Sequence, residues 1–428
     1  MKYIFGLVFF SVSLWCDTLD GLIHYAIRHS IVIKQSQAQA ELSEIKRQES
    51  KVQQFGELNL ISDYTHYNTA RTLAPLTPGA LGAGVPITTS QDIFYAGASY
   101  TVPLFTGFAQ TRQIEISTLA KQMAEVKMRL TKEQLIYNIR SLYLSILAQK
   151  EILKAQQTYS TALYTLTKQI AYEVKLGKKA KIDLLKAQAN AQDAKTQVEI
   201  LKTNISITKA TLASLVGKKV DTFKAIKIKL NKPSYSIERL YAQSTQLAKV
   251  EVEEMALRKA DKVISKSQAL KLPQVNFSSF VGKNYGQDLA TDNWDNETLW
   301  QAGINVKWNL VDFGKRDLAV QQAKIEKMEA IFNKEQTLLD LRKLLTQGIS
   351  KVKQSYAKYM GNKVQFRLSQ KSEKIEQVRY ENDVSTLNDL LLVKGQTQLI
   401  RAKVIESKYN YQKSKYYLDY LLEKGVRK

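Results

Sequence analysis

The sequence WQAGINVKWNL, from Trp300 to Leu310, alternates strictly between apolar and polar side chains. Successive side chains of a β-strand point to opposite faces, so one face of this stretch is apolar and the other is polar. Its apolar positions are Trp300, Ala302, Ile304, Val306, Trp308 and Leu310. With aromatic residues near both ends, the pattern predicts a strand of a membrane barrel that has lipid outside and water inside. A soluble sandwich strand with one wet face is the alternative, but a sandwich needs more strands than this chain offers.

The same features recur 206 residues earlier in the chain. The matching pairs are Gly97 and Gly303, Leu104 and Leu310, Asp183-Leu184-Leu185 and Asp389-Leu390-Leu391, and Leu212 and Leu418. One shared offset across elements more than 100 residues apart is improbable by chance. The chain is therefore predicted to be internally duplicated.

Each half is predicted to contribute two strands. In the first half, alternate apolar residues run from Ala96 to Leu104, and a further strand precedes it at 57–67. In the second half, the preceding strand is expected at 274–282. The residues predicted to face lipid are Tyr100, Val102, Leu104, Trp300, Ile304, Val306 and Trp308. The loop at 68–91, rich in Pro and Gly, is expected to be exposed and mobile.

Long helices are predicted to follow the strands. No Gly or Pro occurs between Phe108 and Ala171, and apolar residues recur there at spacings of three and four, as in a coiled coil. A helix of about 65 residues is on the order of 100 Å long, which does not fit a compact globule. Gly177 marks the turn to a second helix at 179–216, and the second half repeats the plan with a helix at 315–379 and a turn at Asn382-Asp383.

These features divide the chain into four segments. Residues 1–16 are typical of a signal peptide, with Lys2 before a short apolar core, and cleavage after Cys16 and lipidation of Cys16 are the two alternatives for its processing. Residues 17–217 are predicted to form the first structural repeat, with a helix, two strands and a long helical hairpin. Residues 218–235 join the repeats, and residues 236–428 form the second.

Composition argues against several classes of function. Cys16 is the only cysteine, so disulfide and thiol chemistry are not expected, and three dispersed histidines make a metal site improbable. No nucleophile–base grouping or phosphate-binding loop is found, so we expect neither an enzyme nor a cofactor. The net charge of +23 is spread along the chain. We interpret it as Lys and Arg solvating long helical faces, and not as a nucleic-acid site.

Four strands are too few to close a barrel of useful width. A single chain would leave two unpaired edges, which a membrane does not tolerate. Several chains must then share one barrel, and three chains would supply 12 strands. The long helices would continue such a barrel as a periplasmic tube.

The sequence resembles the TolC-type outer-membrane efflux ducts, the outer-membrane factor family, over nearly the whole mature chain. The resemblance rests on the order of the duplicated elements and on VPLFTG at 102–107 and WNLVDFGK at 308–315, where strands pass into helices. It rests also on LG at 176–177 followed by DLLKAQ at 183–188.

The resemblance implies a homotrimer with a 12-stranded barrel in the outer membrane of a Gram-negative bacterium. It also implies a helical conduit that docks a periplasmic membrane-fusion adaptor and, through it, an inner-membrane pump of RND, ABC or MFS type. The function would be that of an exit duct in tripartite efflux or type I secretion, with no chemistry of its own. The alternatives are a periplasmic coiled-coil adaptor or scaffold without a barrel, and a general diffusion porin, which needs many more strands.

By the same resemblance, function concentrates at the tips of the helical hairpins. The residues expected at the tips to dock an adaptor are Gly177, Lys178, Lys179, Asp183, Asn382 and Val384. The expected periplasmic gate is Tyr380, Asp383 and Asp389. Asp389 is either part of an inward acidic ring or a helix N-terminal acid stabilised by the helix dipole.

This sequence departs from the family pattern at the tips. Lys178 stands where an apolar residue is usual, Ser385 where a basic partner of the tyrosine is expected, and Leu392 where the family has a second carboxylate. The first tip is basic and the second is more acidic. The charged residues are Lys175, Lys178, Lys179, Lys181 and Lys186 on the first tip and Glu381, Asp383 and Asp389 on the second. We expect attraction between alternating tips of a trimer to hold the entrance shut.

Overall fold

A computed structural model describes residues 18–82, 84 and 87–425 of the chain. The predicted signal peptide, residues 1–16, and the processing of Cys16 lie outside the described residues, as does Pro86 of the first loop. Over the described residues, the elements in chain order are α1 (Leu19–His29), α2 (Ile31–Val52), β1 (Glu57–Thr72), α3 (Pro78–Gly82), β2 (Thr89–Phe105), α4 (Ala109–Lys175), α5 (Lys181–Val216), α6 (Ile237–Ser244), α7 (Ala248–Ala269), β3 (Gln274–Gln287), β4 (Trp294–Lys307), α8 (Lys315–Glu381) and α9 (Leu387–Leu421). The predicted mainly helical chain with four strands is confirmed.

The duplication is visible in the backbone itself. Helices α4 and α8 each have 67 residues and begin 206 residues apart, at Ala109 and Lys315. The left-handed backbone positions repeat at the same offset, as the pairs Gly107 and Phe313, Phe108 and Gly314, Gly177 and Asp383, and Gly217 and Glu423. Before the first loop the offset is larger: α2 and α7, both of 22 residues, begin 217 residues apart. The longer loop between β1 and β2 accounts for the difference.

The chain forms two compact units. One comprises residues 39–125 and 252–334 and contains the sheet. The other comprises the described parts of 1–38, 126–251 and 335–428, and it contains the helical hairpins. Among the described residues, no helix has the length and the apolar content needed to cross a membrane.

The sheet is antiparallel with the order β1-β2-β3-β4. Leu58 lies opposite Tyr100, Val102 opposite Phe277, and Phe277 in turn opposite Ile304. Because paired residues share a face, one face of the sheet carries apolar side chains from all four strands. Strands β1 and β4 each pair with one neighbour only, so within the described chain both edges of the sheet are unpaired.

The strand ends differ from the sequence prediction. The last strand ends at Lys307, so Trp308 lies beyond it, where its indole Nε1 donates to the carbonyl of Lys271 at 3.1 Å. In β2 the register shifts after Pro103, and Leu104 has no cross-strand partner. At the loop ends β1 and β3 run five residues further than predicted, to Thr72 and Gln287. Their ladders continue there through polar residues, because strand pairing uses backbone groups and needs no apolar face.

The first loop is predicted to be exposed, but both of its ends contact the sheet. Leu73 is buried, and its carbonyl accepts a hydrogen bond from Nδ2 of Asn284 at 2.7 Å. At the other end of the loop, the Thr88 hydroxyl donates to Oδ2 of Asp295 at 2.6 Å. Both ends are therefore fixed to the hairpin of β3 and β4.

Three apolar clusters hold the helical unit together. The first joins α1, α4 and α5, with Leu22, Ile139 and Leu212 fully buried. A second joins α6, α8 and α9. The third lies near the hairpin tips and includes residues of α4, α5, α8 and α9. The third cluster positions the candidate site, because it packs the two hairpins against each other.

Candidate functional site

The two hairpin turns have the same backbone geometry. In the first, the amide of Gly177 donates to the carbonyl of Val174 at 3.0 Å and the amide of Lys178 donates to Glu173 at 2.9 Å. In the second, Asp383 donates to Tyr380 at 3.1 Å and Val384 to Arg379 at 2.8 Å. This is the Schellman pattern that ends a helix with a left-handed residue. Gly177 has φ of 73° and Asp383 has φ of 57°, so aspartate occupies a conformation that usually favours glycine.

The structure brings three predicted tip residues into contact. Nζ of Lys179 lies 2.6 Å from Oδ1 of Asp383 and 5.0 Å from the ring centroid of Tyr380. The hydrogen bond between Lys179 and Asp383 lowers the pKa of the Asp383 carboxyl and raises the pKa of the Lys179 ammonium. Lys179 therefore connects the first hairpin turn to the second within one chain.

Tyr380 anchors the second tip in the third apolar cluster. It is only 6% exposed and packs in the cluster that contains Ile170, Leu387 and Leu390. Burial raises the pKa of its hydroxyl. Among the described residues, neither this hydroxyl nor the buried hydroxyl of Ser385 has a hydrogen-bond partner. Ser385 thus does not replace the basic partner expected for the tyrosine.

Asp389 forms a capping box at the start of α9. Its Oδ2 accepts from the backbone amide of Thr386 at 3.2 Å and from the Thr386 hydroxyl at 2.7 Å, while its own amide donates to Oγ1 of Thr386 at 3.2 Å. These bonds lower the pKa of the Asp389 carboxyl. Within one chain, the helix-terminal role is therefore the one that the contacts of Asp389 support. An acidic ring requires further copies and stays a prediction.

Sequence reasoning missed Thr386, although the signal was present. The stretch TLND at 386–389 places a hydroxyl three residues before a carboxylate, which is the pattern of a capping box. The equivalent N-cap of α5 is Ala180, which makes no side-chain cap. Asp183 occupies the position equivalent to Asp389, so the two tips differ in how their second helices begin.

Apolar side chains at the tips remain exposed. The side chain of Asn382 donates through Nδ2 to the carbonyl of Val378 at 2.8 Å, at the end of α8. Lys178 is exposed. The exposed apolar residues near the two turns are Leu176, Ile182, Leu185, Val384 and Leu392. Such a cluster on a turn is typical of a surface that contacts another protein.

The residues predicted to face lipid lie along the apolar face of the sheet as far as the ladder extends. Trp300, Ile304 and Val306 of β4 are between 63% and 77% exposed. Tyr100 and Val102 of β2 are half-buried, and the Tyr100 hydroxyl donates to the carbonyl of Phe55 at 2.7 Å. Trp308 and Leu104 are exposed but lie outside the paired register.

No group of three or more His, Cys, Asp or Glu residues is arranged to hold a metal ion in the part of the chain that the structure describes. The tips instead offer a salt bridge, a buried tyrosine and exposed apolar side chains. These features suit the closing and docking of a helical assembly.

Comparisons with known proteins agree with this architecture. A sequence model of the outer membrane efflux protein family matches residues 22–218 and again residues 237–422. Among solved structures, the chain is similar to the CmeC outer membrane channel of Campylobacter jejuni, with a TM-score of 0.78 and 15% identity over 95% of this chain and 86% of that one. It is also similar to the outer membrane protein VceC of Vibrio cholerae, with a TM-score of 0.76 and 14% identity over 95% and 96%. The MtrE outer membrane channel of Neisseria gonorrhoeae gives a TM-score of 0.74 and 14% identity over 95% and 89%.

No curated protein matches the sequence. Because the family model matches each half in turn and spans most of the chain, the protein belongs to the outer membrane efflux protein family and is an outer-membrane efflux channel.

Proposed function

We propose that the protein works as a homotrimeric exit duct, in which three chains share a 12-stranded barrel in the outer membrane. The single observation that carries the proposal is the sheet of four strands with an exposed apolar face and two unpaired edges. Unpaired edges in lipid cost several kcal/mol for each backbone group left without a partner. Pairing β4 of one chain with β1 of the next removes every edge.

An exposed apolar stripe on α8 supports the same assembly. Leu318, Ile325, Phe332 and Leu339 recur every seven residues, and each is more than half exposed. A strict repeat of seven is typical of a helix that packs against another helix in a coiled coil. Another copy of the chain would cover this stripe.

We further propose that the tips dock a periplasmic membrane-fusion adaptor and form the periplasmic gate. Docking is assigned to Gly177, Lys178, Lys179, Asp183, Asn382 and Val384, and gating to Tyr380, Asp383 and Asp389. The exposed apolar residues beside the turns support docking, since adaptor contact would bury them. The salt bridge from Lys179 to Asp383 supports gating, since it joins two hairpins that have to separate on opening.

The wider system is part of the proposal. An inner-membrane pump of RND, ABC or MFS type would supply the energy, in tripartite efflux or in type I secretion. The four segments 1–16, 17–217, 218–235 and 236–428 stay predictions, with 1–16 as the signal peptide. The alternative of a periplasmic coiled-coil adaptor or scaffold without a barrel has less support, because the chain contains a four-stranded sheet and belongs to the outer membrane efflux protein family.

Extraction from outer membranes with a mild detergent, followed by mass measurement, tests the assembly. A particle of three chains is expected, and a monomer would refute the shared barrel. Docking is tested with a photo-cross-linking residue at Val384 in cells that contain the adaptor. The matched control is Ile207, which is equally exposed on α5 but lies far along the helix from the turn. Equal cross-linking at both positions, or none at Val384, would argue against docking at the tips.

A further inference from the structure

A groove in the helical unit carries an excess of positive charge. It lies between α4, α8 and α9 and has a volume of about 520 Å³. That volume is within the range of small-molecule sites. Its charged lining consists of Lys351, Lys358, Lys403 and Lys413 against one carboxylate, Glu406. Serine hydroxyls and the amide groups of Asn and Gln fill most of the remaining wall. The hydroxyls of Ser355, Ser407 and Ser414 donate to backbone carbonyls of their own helices, so the lysines and the side-chain amides are the main donors left for a ligand.

Several lysines on α8 and α9 pair with acids, such as Lys343 with Asp340 at 2.6 Å and Lys408 with Glu151 at 3.2 Å. Over the described residues, none of the four groove lysines takes part in a salt bridge, and they share this with other lysines of these helices; what distinguishes them is that four of them line one concave space. Ordinary solvation of a helical face does not require unpaired lysines from two helices to line one concave space.

Lys413 shows that the excess charge extends below the surface. Its Nζ donates to the hydroxyl of Ser145 on α4 at 2.6 Å, and burial lowers the pKa of the ammonium group. A neutral hydroxyl compensates a partly buried ammonium less well than an oxyanion does. At the same end of the groove the rings of Tyr137 and Tyr417 lie 5.6 Å apart, and Lys351 lies 5.6 Å from the Tyr417 ring centroid.

We propose that this groove is a binding site for a multivalent anion, a solute that carries two or more phosphate, sulfate or carboxylate oxygens. Lys358 and Lys403 contact the anion from α8 and α9, and Lys413 contacts it from the floor. The tyrosine rings, tilted by 56° to each other, offer apolar contact to a ring or hydrocarbon part of the solute. All the residues that line the groove belong to one chain.

Isothermal titration of the full-length protein in detergent with inorganic tripolyphosphate tests the proposal. The wild-type protein is expected to bind it saturably, with affinity that falls as salt is added. The double variant Lys358→Gln/Lys403→Gln removes two exposed charges, and about tenfold weaker binding or more is expected. A second probe, 1,5-naphthalenedisulfonate, is expected to bind in competition with tripolyphosphate.

The matched control is the double variant Lys371→Gln/Lys374→Gln, which removes the same charge from exposed lysines of α8 outside the groove. Its affinity for tripolyphosphate is expected to equal that of the wild type. Equal weakening in both double variants would overturn the site, because it would show attraction to net charge alone. Absence of saturable binding would overturn it as well. Lys413→Met tests the floor contact separately. If Lys413→Met does not fold, the comparison of Lys358→Gln/Lys403→Gln with the control double variant still tests whether the groove binds the anion.

Discussion

Nζ of Lys179 lies 2.6 Å from Oδ1 of Asp383, and this contact joins two hairpin turns that are 204 residues apart in sequence. The sequence led us to expect such attraction between neighbouring chains, and the structure forms one such pair within a chain. The Asp383 side chain is 80% exposed, so solvent and salt weaken the pair. The contact between Lys179 and the buried Tyr380 ring gives the lysine a fixed position that most surface lysines lack.

Removing the charge of Asp383 should weaken the contact at the proposed gate. Asp383→Asn is the suitable change, because asparagine tolerates the left-handed backbone at this position. Single-channel conductance in planar bilayers is expected to rise relative to the wild type in about 0.05 M salt. The difference should shrink in 1 M salt, where charges are screened beyond about 3 Å. Lys178→Gln is the control, since the exposed Lys178 forms no salt bridge among the described residues; an equal effect in both variants would contradict a specific contact.

Acid should open the same contact over a defined range of pH. Lys179 holds the pKa of Asp383 below its usual value, so the folded-state pKa is depressed. A depressed carboxyl pKa stabilises the folded contact above the unfolded-state pKa of about 3.9, and that stabilisation is lost as pH falls through the folded-state pKa. Conductance is therefore expected to stay constant from pH 7 to about 5 and to rise below about 4. Asp383→Asn should show no such rise; if it follows the wild type, another carboxyl controls the change.

The unequal caps of α5 and α9 predict opposite effects of two exchanged residues. Thr386→Ala removes the hydroxyl of the capping box and is expected to destabilise the start of α9 by about 1 kcal/mol. Ala180→Thr places a hydroxyl at the equivalent position, three residues before Asp183, and should stabilise α5. Hydrogen exchange of amides in the first turn of each helix measures both effects. About fivefold faster exchange in Thr386→Ala and slower exchange in Ala180→Thr are expected, and a shift in the same direction for both would contradict the assignment.

The sequence predicted the duplication and the long helices because their signals are repeated many times. The apolar spacing is repeated over the 67 residues of α4, so no single residue decides the prediction of a helix. Gly177 and Asp383 predict the positions of the two hairpin turns, and both residues have the left-handed backbone conformation. The resemblance to TolC-type ducts is confirmed by the family match. The alternation of apolar and polar residues from Trp300 to Val306 likewise predicts a strand, and these residues lie in β4.

The ends of the strands and the partners at the tips were harder to predict. Alternation does not show where backbone pairing stops, so Trp308 was placed in a strand that ends at Lys307. Contact between Lys179 and Asp383 depends on how two hairpins pack, which local sequence does not encode. The sequence does not show that the four groove lysines lie together, because they belong to two helices, α8 and α9, and share no pattern along the chain.

The duplication makes Gly97 and Gly303 equivalent, but their surroundings in the sheet differ. A Cβ at Gly97 would lie 2.5 Å from the carbonyl oxygen of Val281 and 2.6 Å from the Phe280 ring, whereas a Cβ at Gly303 would meet no atom within 4 Å. The reason is that β2 is an inner strand of the sheet and β4 is an edge strand of the chain. Gly97→Ala is expected to destabilise the sheet by roughly 1–3 kcal/mol, as overpacking does. A Cβ at Gly303 meets no atom of its own chain, so Gly303→Ala can destabilise the protein only through the proposed pairing of β4 with β1 of the next chain.

The amount of folded protein in outer membranes and the denaturant midpoint of the purified protein measure the difference between these variants. Phe280→Leu should partly rescue Gly97→Ala, since a smaller side chain relieves the ring contact but leaves the clash with the Val281 carbonyl. A Gly97→Ala variant that is as stable as the wild type would contradict the close approach of the Phe280 ring to β2. Because neither glycine substitution alters charge, any difference between the two reports packing within the sheet.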